Sequence, residues 1–165
     1  MLEKAVPAEN LPDVAAVVGP ILQRVPREHR PLLVAVAERL AAVRYRAWAS
    51  EVGDPQRASR LSACADREEE IARRIESLYP DASSIQRDLV AKHPELDEVN
   101  RSLFAGRPLH DQFAIQARGE RVGAATWRYF AERAETAAAR DQFLLCADLE
   151  EESAGFLESL LDGRR

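Results

Sequence analysis

Residues that mark several common protein classes are scarce in this sequence. It contains only two cysteines, Cys64 and Cys146, which are too few for a secreted disulfide scaffold and do not form a Cys-x-x-Cys pair. No stretch approaches the roughly eighteen consecutive apolar residues that cross a bilayer, and the first seven residues lack the apolar core of a signal peptide. We therefore expect a soluble, cytoplasmic protein with no membrane partner.

An excess of positive charge is absent as well. Lysine and arginine total 23 against 28 aspartates and glutamates, so the formal net charge is −5. Because nucleic-acid-binding proteins neutralise phosphates with basic surfaces, we exclude nucleic acid as a general partner. The chain is 46% hydrophobic with seven glycines and nine prolines, a composition typical of a globular helical protein. Its 165 residues indicate a single domain spanning residues 1–165.

Internal similarity, in contrast, is extensive. An offset of 82 residues aligns residues 6–80 with residues 88–162. The clearest match pairs residues 64–78 with residues 146–160, where 10 of 15 positions are identical. Shared composition alone would also align two helices rich in alanine and glutamate, but prolines at matching element boundaries argue against that explanation. We predict a tandem duplication of one helical unit.

Prolines and a glycine divide each unit into a short helix followed by two long helices. Prolines at positions 12, 55, 94 and 108 are predicted to lie in first helical turns, where the missing N–H is not needed. The run Gly53-Asp54-Pro55 combines a helix end, an N-cap and a first-turn proline, which predicts a tight turn. The predicted long helices cover residues 27–52, 55–79, 108–134 and 137–161.

The turn of the second unit has no helix-breaking residue, so propensity alone would allow one helix of about fifty residues there. The phase of the apolar face argues for a break, because the seam that contains Trp127 and Phe130 does not continue in register to Phe143. Two hairpins joined by about 28 residues predict an all-α four-helix bundle with one long crossover. A heme-oxygenase-like helical fold is the alternative topology.

One glutamate of each long helix falls on its apolar seam. Glu68 and Glu150 follow the three-and-four residue spacing of their seams, and Glu38 and Glu120 do the same. Glu38 and Glu68 lie at equal distances from Gly53, roughly 22 Å along the helices, so their heights agree. Carboxylates grouped in an apolar core must be neutralised by protons, arginines or a cation.

This pattern resembles the ferritin-like superfamily of di-iron carboxylate bundles, in which two helices each supply a glutamate and two others each supply Glu-x-x-His. The resemblance covers residues 27–79 and 108–161. It implies four metal ligands, with Glu38 and Glu120 as single glutamates and Glu68 and Glu150 as bridging ones. The imidazole positions are occupied by Ile71 and Ser153, so the resemblance is to a degenerate site.

Three functional hypotheses follow from this resemblance. The first is a helical bundle with a degenerate or lost di-iron site and a metal-binding or structural role. Its cofactor is either none or a divalent metal. An all-oxygen ligand set favours magnesium, calcium or manganese over zinc and is compatible with iron. The second is an active carboxylate-bridged metalloprotein for iron handling or for O₂ or peroxide chemistry. The third is a protein–protein adaptor without metal.

Other repeated residues have competing interpretations. Arg39, Arg46, Arg121 and Arg128 recur between the units and could neutralise the inward glutamates through buried or interface ion pairs. The neighbouring glutamates at positions 69, 70, 151 and 152 are out of phase with the seams and indicate a solvated face. The substrate and the reaction are not specified by any of these features.

Small and aromatic residues complete the expected helix faces. An alanine stripe at positions 35, 42 and 49, with its copy, predicts a helix-packing surface for a homodimer. The aromatic residues Tyr45, Trp48, Trp127 and Phe130 are predicted to form core. Cys64 and Cys146 are expected on opposite sides of the glutamate level, too far apart for a disulfide.

Overall fold

The computed structural model describes residues 7–163, and every regular element in that range is helical. Two 3-10 turns, Ala8–Asn10 and Arg27–His29, accompany seven α-helices: α1 (Val14–Arg24), α2 (Arg30–Glu51), α3 (Pro55–Glu76), α4 (Ala82–Lys92), α5 (Glu95–Phe104), α6 (Leu109–Glu132) and α7 (Ala137–Asp162). The all-α prediction is therefore confirmed. The first six residues, on which the signal-peptide argument depended, lie outside the described range. No helix within it is long and apolar enough to cross a membrane.

The first hairpin consists of α2 and α3, with the turn at the predicted Gly53-Asp54-Pro55 sequence. Asp54 is the N-cap of α3, and its Oδ1 accepts a hydrogen bond from the backbone N–H of Arg57 at 2.7 Å. Pro55 occupies the first turn, where its missing N–H leaves no backbone bond unmade. Local chemistry thus accounts for the turn.

The second hairpin consists of α6 and α7, and the predicted break between them is confirmed. The residue that starts the new helix is Thr136, the N-cap of α7, whose Oγ1 accepts a hydrogen bond from the N–H of Ala139 at 3.1 Å. Threonine is a good N-cap because its hydroxyl satisfies a free backbone donor. The phase of the apolar face predicted the same break, and the Thr136 cap is a second local signal for it.

The remaining proline predictions are partly wrong. Pro94 and Pro108 are N-cap residues of α5 and α6 rather than first-turn residues, and Pro12 precedes the Asp13 cap of α1. The connection between the hairpins covers residues 77–108 and holds two short helices, α4 and α5, instead of one. Its extra helix, α4, packs against α2.

Packing is closest within each hairpin, α2 on α3 and α6 on α7, and the two hairpins meet chiefly through α3 and α7. On the other side α2 and α6 approach each other at only a few residues, while α1 and α5 pack against α6. The molecule is therefore tightly closed on the α3–α7 side and more open between α2 and α6. This difference positions the cavity described below.

The hydrophobic core consists of two clusters. One contains Ile71, Ile75, Trp127 and Phe143 among its members, and the other contains Tyr45, Trp48, Leu61 and Leu157 among its members. Each cluster draws on all four long helices, from opposite ends of antiparallel partners. The glutamates at positions 38, 68, 120 and 150 fall between the two sets along every helix.

The two clusters also decide the interpretation of the small residues. Cys64 and Cys146 are buried free thiols that belong to different clusters, as the sequence predicted. Ala35 and Ala42 are buried within the chain, as are their counterparts Ala117 and Ala124. Most of the alanine stripe therefore packs inside one chain, and association of two copies of the chain stays a prediction.

Candidate carboxylate site

Four buried carboxyl groups lie between the two core clusters, one from each long helix. Glu68 is fully buried, Glu120 and Glu150 are 1% exposed, and Glu38 is 7% exposed. The spacing argument placed all four on inward seams, and the structure brings them together. We refer to Glu38, Glu68, Glu120 and Glu150 as the carboxylate site.

Three of these side chains are close enough to share one ligand. Glu38, Glu68 and Glu150 each present a carboxylate oxygen, and the three oxygens lie within 4.8 Å of one another. Glu120 is adjacent and held separately, since its Oε1 accepts hydrogen bonds from Tyr45 Oη at 2.5 Å and Gln116 Nε2 at 2.7 Å. The site therefore has a central trio and one oriented neighbour.

Each remaining glutamate has a different hydrogen-bond environment. The Trp127 indole N–H donates to Glu150 Oε1 at 3.0 Å, and the Ser153 hydroxyl donates to Glu68 Oε1 at 3.4 Å. Glu68 Oε2 is buried and receives no hydrogen bond from the described residues. A buried polar atom without a partner is costly, so a cation or a proton bound at Glu68 Oε2 would stabilise the site.

Tyr45 and Trp127 have roles that the sequence argument missed. Both were assigned to the core, and both are indeed fully buried. They occupy equivalent positions of the two repeats, and each directs its polar group at a glutamate. The available signal was their chemistry, because a buried tyrosine or tryptophan usually needs a hydrogen-bond partner, whereas phenylalanine would not.

Gly123 makes room for one of the carboxyl groups. A Cβ atom at this position would lie 2.5 Å from Glu150 Oε1 and 2.8 Å from Glu150 Cδ. Any larger residue must displace the Glu150 side chain or the α6 backbone. Gly123 therefore permits the observed position of the Glu150 carboxyl group, which would have to move if the residue were larger.

Burial controls the electrostatics of the central trio. Burial, followed by the charge of Glu120, raises the pKa of Glu38 from 4.5 to about 7. Burial together with neighbouring glutamates raises the pKa values of Glu68 and Glu150 well above the ordinary range. Without a cation, these carboxyl groups favour the protonated form because ionisation would leave several charges in an apolar layer.

Arg44 is linked to the carboxylate site through Gln116, and it was not among the arginines selected from the sequence. Its Nε and Nη2 donate to Gln116 Oε1 at 3.1 and 2.9 Å, and its Nη1 donates to Asn100 Oδ1 at 2.7 Å. Gln116 in turn donates to Glu120. Burial lowers the pKa of Arg44 to about 10, so the guanidinium stays charged at neutral pH.

The four arginines proposed as neutralising groups pair instead at the surface. Their partners are acidic groups outside the carboxylate site: Arg39 pairs with Glu76, Arg121 with Glu158, Arg46 with Glu69 and Asp66, and Arg128 with Glu151. That hypothesis is therefore wrong, because these side chains leave the helices on the solvent side. Both kinds of pair recur with the 82-residue offset of the sequence repeat.

No histidine of the described residues joins the carboxylate site. His29 is the N-cap residue of α2, His93 lies 3.6 Å from Glu95, and His110 lies 3.4 Å from Asp111. Of the two positions where the ferritin-like pattern has imidazoles, Ile71 is core, while Ser153 reaches Glu68 through its hydroxyl. The donor set consists of oxygen atoms.

A cavity of about 280 Å³ extends from the carboxylate site toward α1 and α5. Its inner end includes Glu38, Glu120, Glu150 and Arg44, and most of its other lining residues are aliphatic. The cavity occupies the more open space between α2 and α6. It connects the buried acidic groups to a surface region covered by short helices.

Comparison of the chain with protein-family models, curated proteins and solved structures gives no significant match.

Proposed function

We propose that this chain binds a divalent cation through the carboxylate oxygens of Glu38, Glu68 and Glu150, with Glu120 as an adjacent fourth acidic group. The observation that carries the proposal is the trio of buried oxygens within 4.8 Å of one another. The hydrogen-bond-free Glu68 Oε2 and the space left by Gly123 beside Glu150 support it.

Burying several acidic groups in an apolar layer costs free energy. An ion taken out of water loses several kcal/mol of hydration, and like charges nearby add repulsion. Protons remove that cost below the raised pKa values, and a divalent cation removes it above them. The Arg44 guanidinium donates hydrogen bonds to Gln116 and Asn100 rather than to the trio, and its charge lowers the pKa of Glu38 by less than burial raises it.

The spread of the oxygens is compatible with a single ion. Opposite ligands of an ion that binds oxygen at 2.0–2.1 Å lie about 4.2 Å apart, and ligands at 2.3–2.6 Å lie about 5 Å apart. Oxygen atoms within 4.8 Å therefore need only small rotations to coordinate one cation. The all-oxygen donor set favours magnesium, calcium or manganese over zinc, and we take Mn²⁺ as the probe.

We also propose that the fold is a ferritin-like four-helix bundle with a degenerate metal centre. In support, the four acidic groups come from four long helices arranged as two hairpins, and residues 77–108 join the hairpins. Ile71 and Ser153 supply no imidazole, which favours cation binding with a structural role over O₂ chemistry. A metal-free adaptor predicts instead that changes at Glu68 leave all binding intact.

The test is metal content and affinity. Protein purified after manganese supplementation should retain about one Mn²⁺ per chain by elemental analysis, and calorimetry should give a saturable site. Glu68→Gln should weaken binding at least ~10-fold, because a ligand matters at least as much as the groups that orient it. Glu69→Gln, one residue away on the exposed face, is the matched control and should bind normally. Equal metal content in both variants would refute the site.

A further inference from the structure

The cavity beside the carboxylate site is larger than the imperfections of an ordinary core. An aliphatic cavity of roughly 150 Å³ already holds a benzene ring, whereas this one measures about 280 Å³. The comparison gives room for about ten non-hydrogen atoms. The cavity is partly open to solvent, so a ligand of that size has both the room and the access that binding requires.

The walls specify the body of that ligand. α1 contributes Val14 and Val18, α2 contributes Val36 and Leu40, and α5 contributes Val99, among other aliphatic side chains. No charged side chain other than those at the inner end lines the cavity among the described residues. An aliphatic chain would bury its surface against these residues, and a polar body would lose hydration without compensation.

The inner end specifies the head group. Glu38 offers a carboxyl group there, and Arg44 offers a guanidinium that packs over the Phe104 ring at 3.8 Å. Three of the five guanidinium N–H groups donate to Gln116 and Asn100, so the Arg44 side chain has two more N–H groups that can donate to a ligand. An anionic head would meet the acidic groups, and an ammonium would meet Arg44. A hydroxyl can donate to one and accept from the other.

We propose that this cavity binds an uncharged aliphatic molecule of about ten non-hydrogen atoms, an alkyl chain whose hydroxyl end lies between Glu38 and Arg44. The inference depends on the proposed function only for the chemical role of such a ligand next to a bound cation. Binding itself requires the cavity and its two polar groups, so it is expected in the metal-free chain as well.

Three probes of equal chain length test the head group: 1-octanol, octanoate and octylamine. Calorimetric titration of the full chain should show saturable binding of 1-octanol at least ~10-fold tighter than either charged analogue, a difference of about 1.4 kcal/mol. In nuclear magnetic resonance spectra, the alkyl protons should show contacts to the methyl groups of Val18 and Leu40. Tighter binding of a charged analogue, or contacts elsewhere, would overturn the proposal.

Glycines provide matched cavity variants on two helices. Gly19 of α1 and Gly119 of α6 line the cavity; a Cβ at Gly19 would meet nothing within 4 Å, and one at Gly119 would make an ordinary contact with Val14. Gly19→Leu and Gly119→Leu should each weaken 1-octanol binding at least ~10-fold. The control is Gly155→Leu on exposed α7 surface, which should leave it unchanged. Using two filling variants protects the test against misfolding of either one.

The same samples separate this inference from the proposed function. Manganese content is measured for each variant alongside 1-octanol binding. Octanol binding that persists while Glu68→Gln and the unmodified chain both fail to bind Mn²⁺ refutes the metal site and supports the cavity. Manganese binding without any octanol binding supports the metal site and overturns the cavity proposal.

Discussion

Replacing Glu38 by glutamine should change how the stability of the metal-free chain depends on pH. Burial raises the pKa of Glu38 from 4.5 to about 7 in the folded state. The folded chain therefore prefers the protonated acid, and this preference stabilises it fully below about pH 4.5. The contribution is lost as the pH rises through about 7, where the buried group must ionise or the chain must unfold.

The size of the effect follows from the pKa values. Raising a pKa from 4.5 to about 7 corresponds to about 3 kcal/mol of folding free energy, lost between pH 4.5 and pH 8. For a domain of this size, 1 kcal/mol changes the melting temperature by roughly 2–4 °C, so Glu38 alone accounts for roughly 6–12 °C. Glu68 and Glu150 shift in the same direction.

Glutamine resembles the protonated acid and does not titrate. In EDTA-treated samples, Glu38→Gln should match the unmodified chain in melting temperature at pH 4.5 and exceed it at pH 8. The difference between the two proteins reports Glu38 together with the neighbouring glutamates whose pKa values its charge raises, because the titrating groups outside the carboxylate site are common to both. Urea unfolding from pH 4.5 to 8.5 provides the free energies. Parallel pH curves for the two proteins would refute the argument that a buried, titrating Glu38 destabilises the metal-free site.

Three further predictions concern groups around the site. Gly123→Ala should weaken Mn²⁺ binding roughly 10-fold in calorimetry by displacing Glu150, although alanine favours helices by about 1 kcal/mol; unchanged affinity would refute the role of the glycine. Tyr45→Phe removes the hydrogen bond to Glu120 and should lower the free energy of unfolding in urea by about 1–3 kcal/mol. An unchanged free energy of unfolding would contradict the importance of this bond. Thr136→Ala removes the cap of α7 and should cost about 1 kcal/mol without altering metal binding, and an effect on affinity would contradict its purely structural assignment.

Agreement between sequence and structure is best where the physical cause is local. The turn at Gly53-Asp54-Pro55 depends on a cap and a first-turn proline only a few residues apart, so the sequence was sufficient to predict it. The inward direction of Glu68 depends on the helical period and the neighbouring apolar residues. The tandem duplication stays a prediction. Its main structural support is that the ion pair of Arg39 with Glu76 recurs 82 residues later as Arg121 with Glu158.

The predictions that failed concern contacts between distant residues. Arg39 and Arg121 were interpreted as partners of the buried glutamates, but each lies 37 residues from the surface glutamate it actually pairs with, on the next helix of its hairpin. The helical period predicts only approximately which face of the helix a side chain occupies. An arginine with a long, flexible stem can reach several partners, and the free energy of hydration favours the exposed one.

The sequence by itself specified the long helices, their turns and the four glutamates on their inner faces, because spacing and capping act within a few residues. The tertiary structure decided which oxygens approach one another, that Arg44 acts through Gln116, and that Gly123 leaves space for Glu150. It also created the cavity between α2 and α6. These features depend on how separate helices pack, and no local pattern encodes a distance between them.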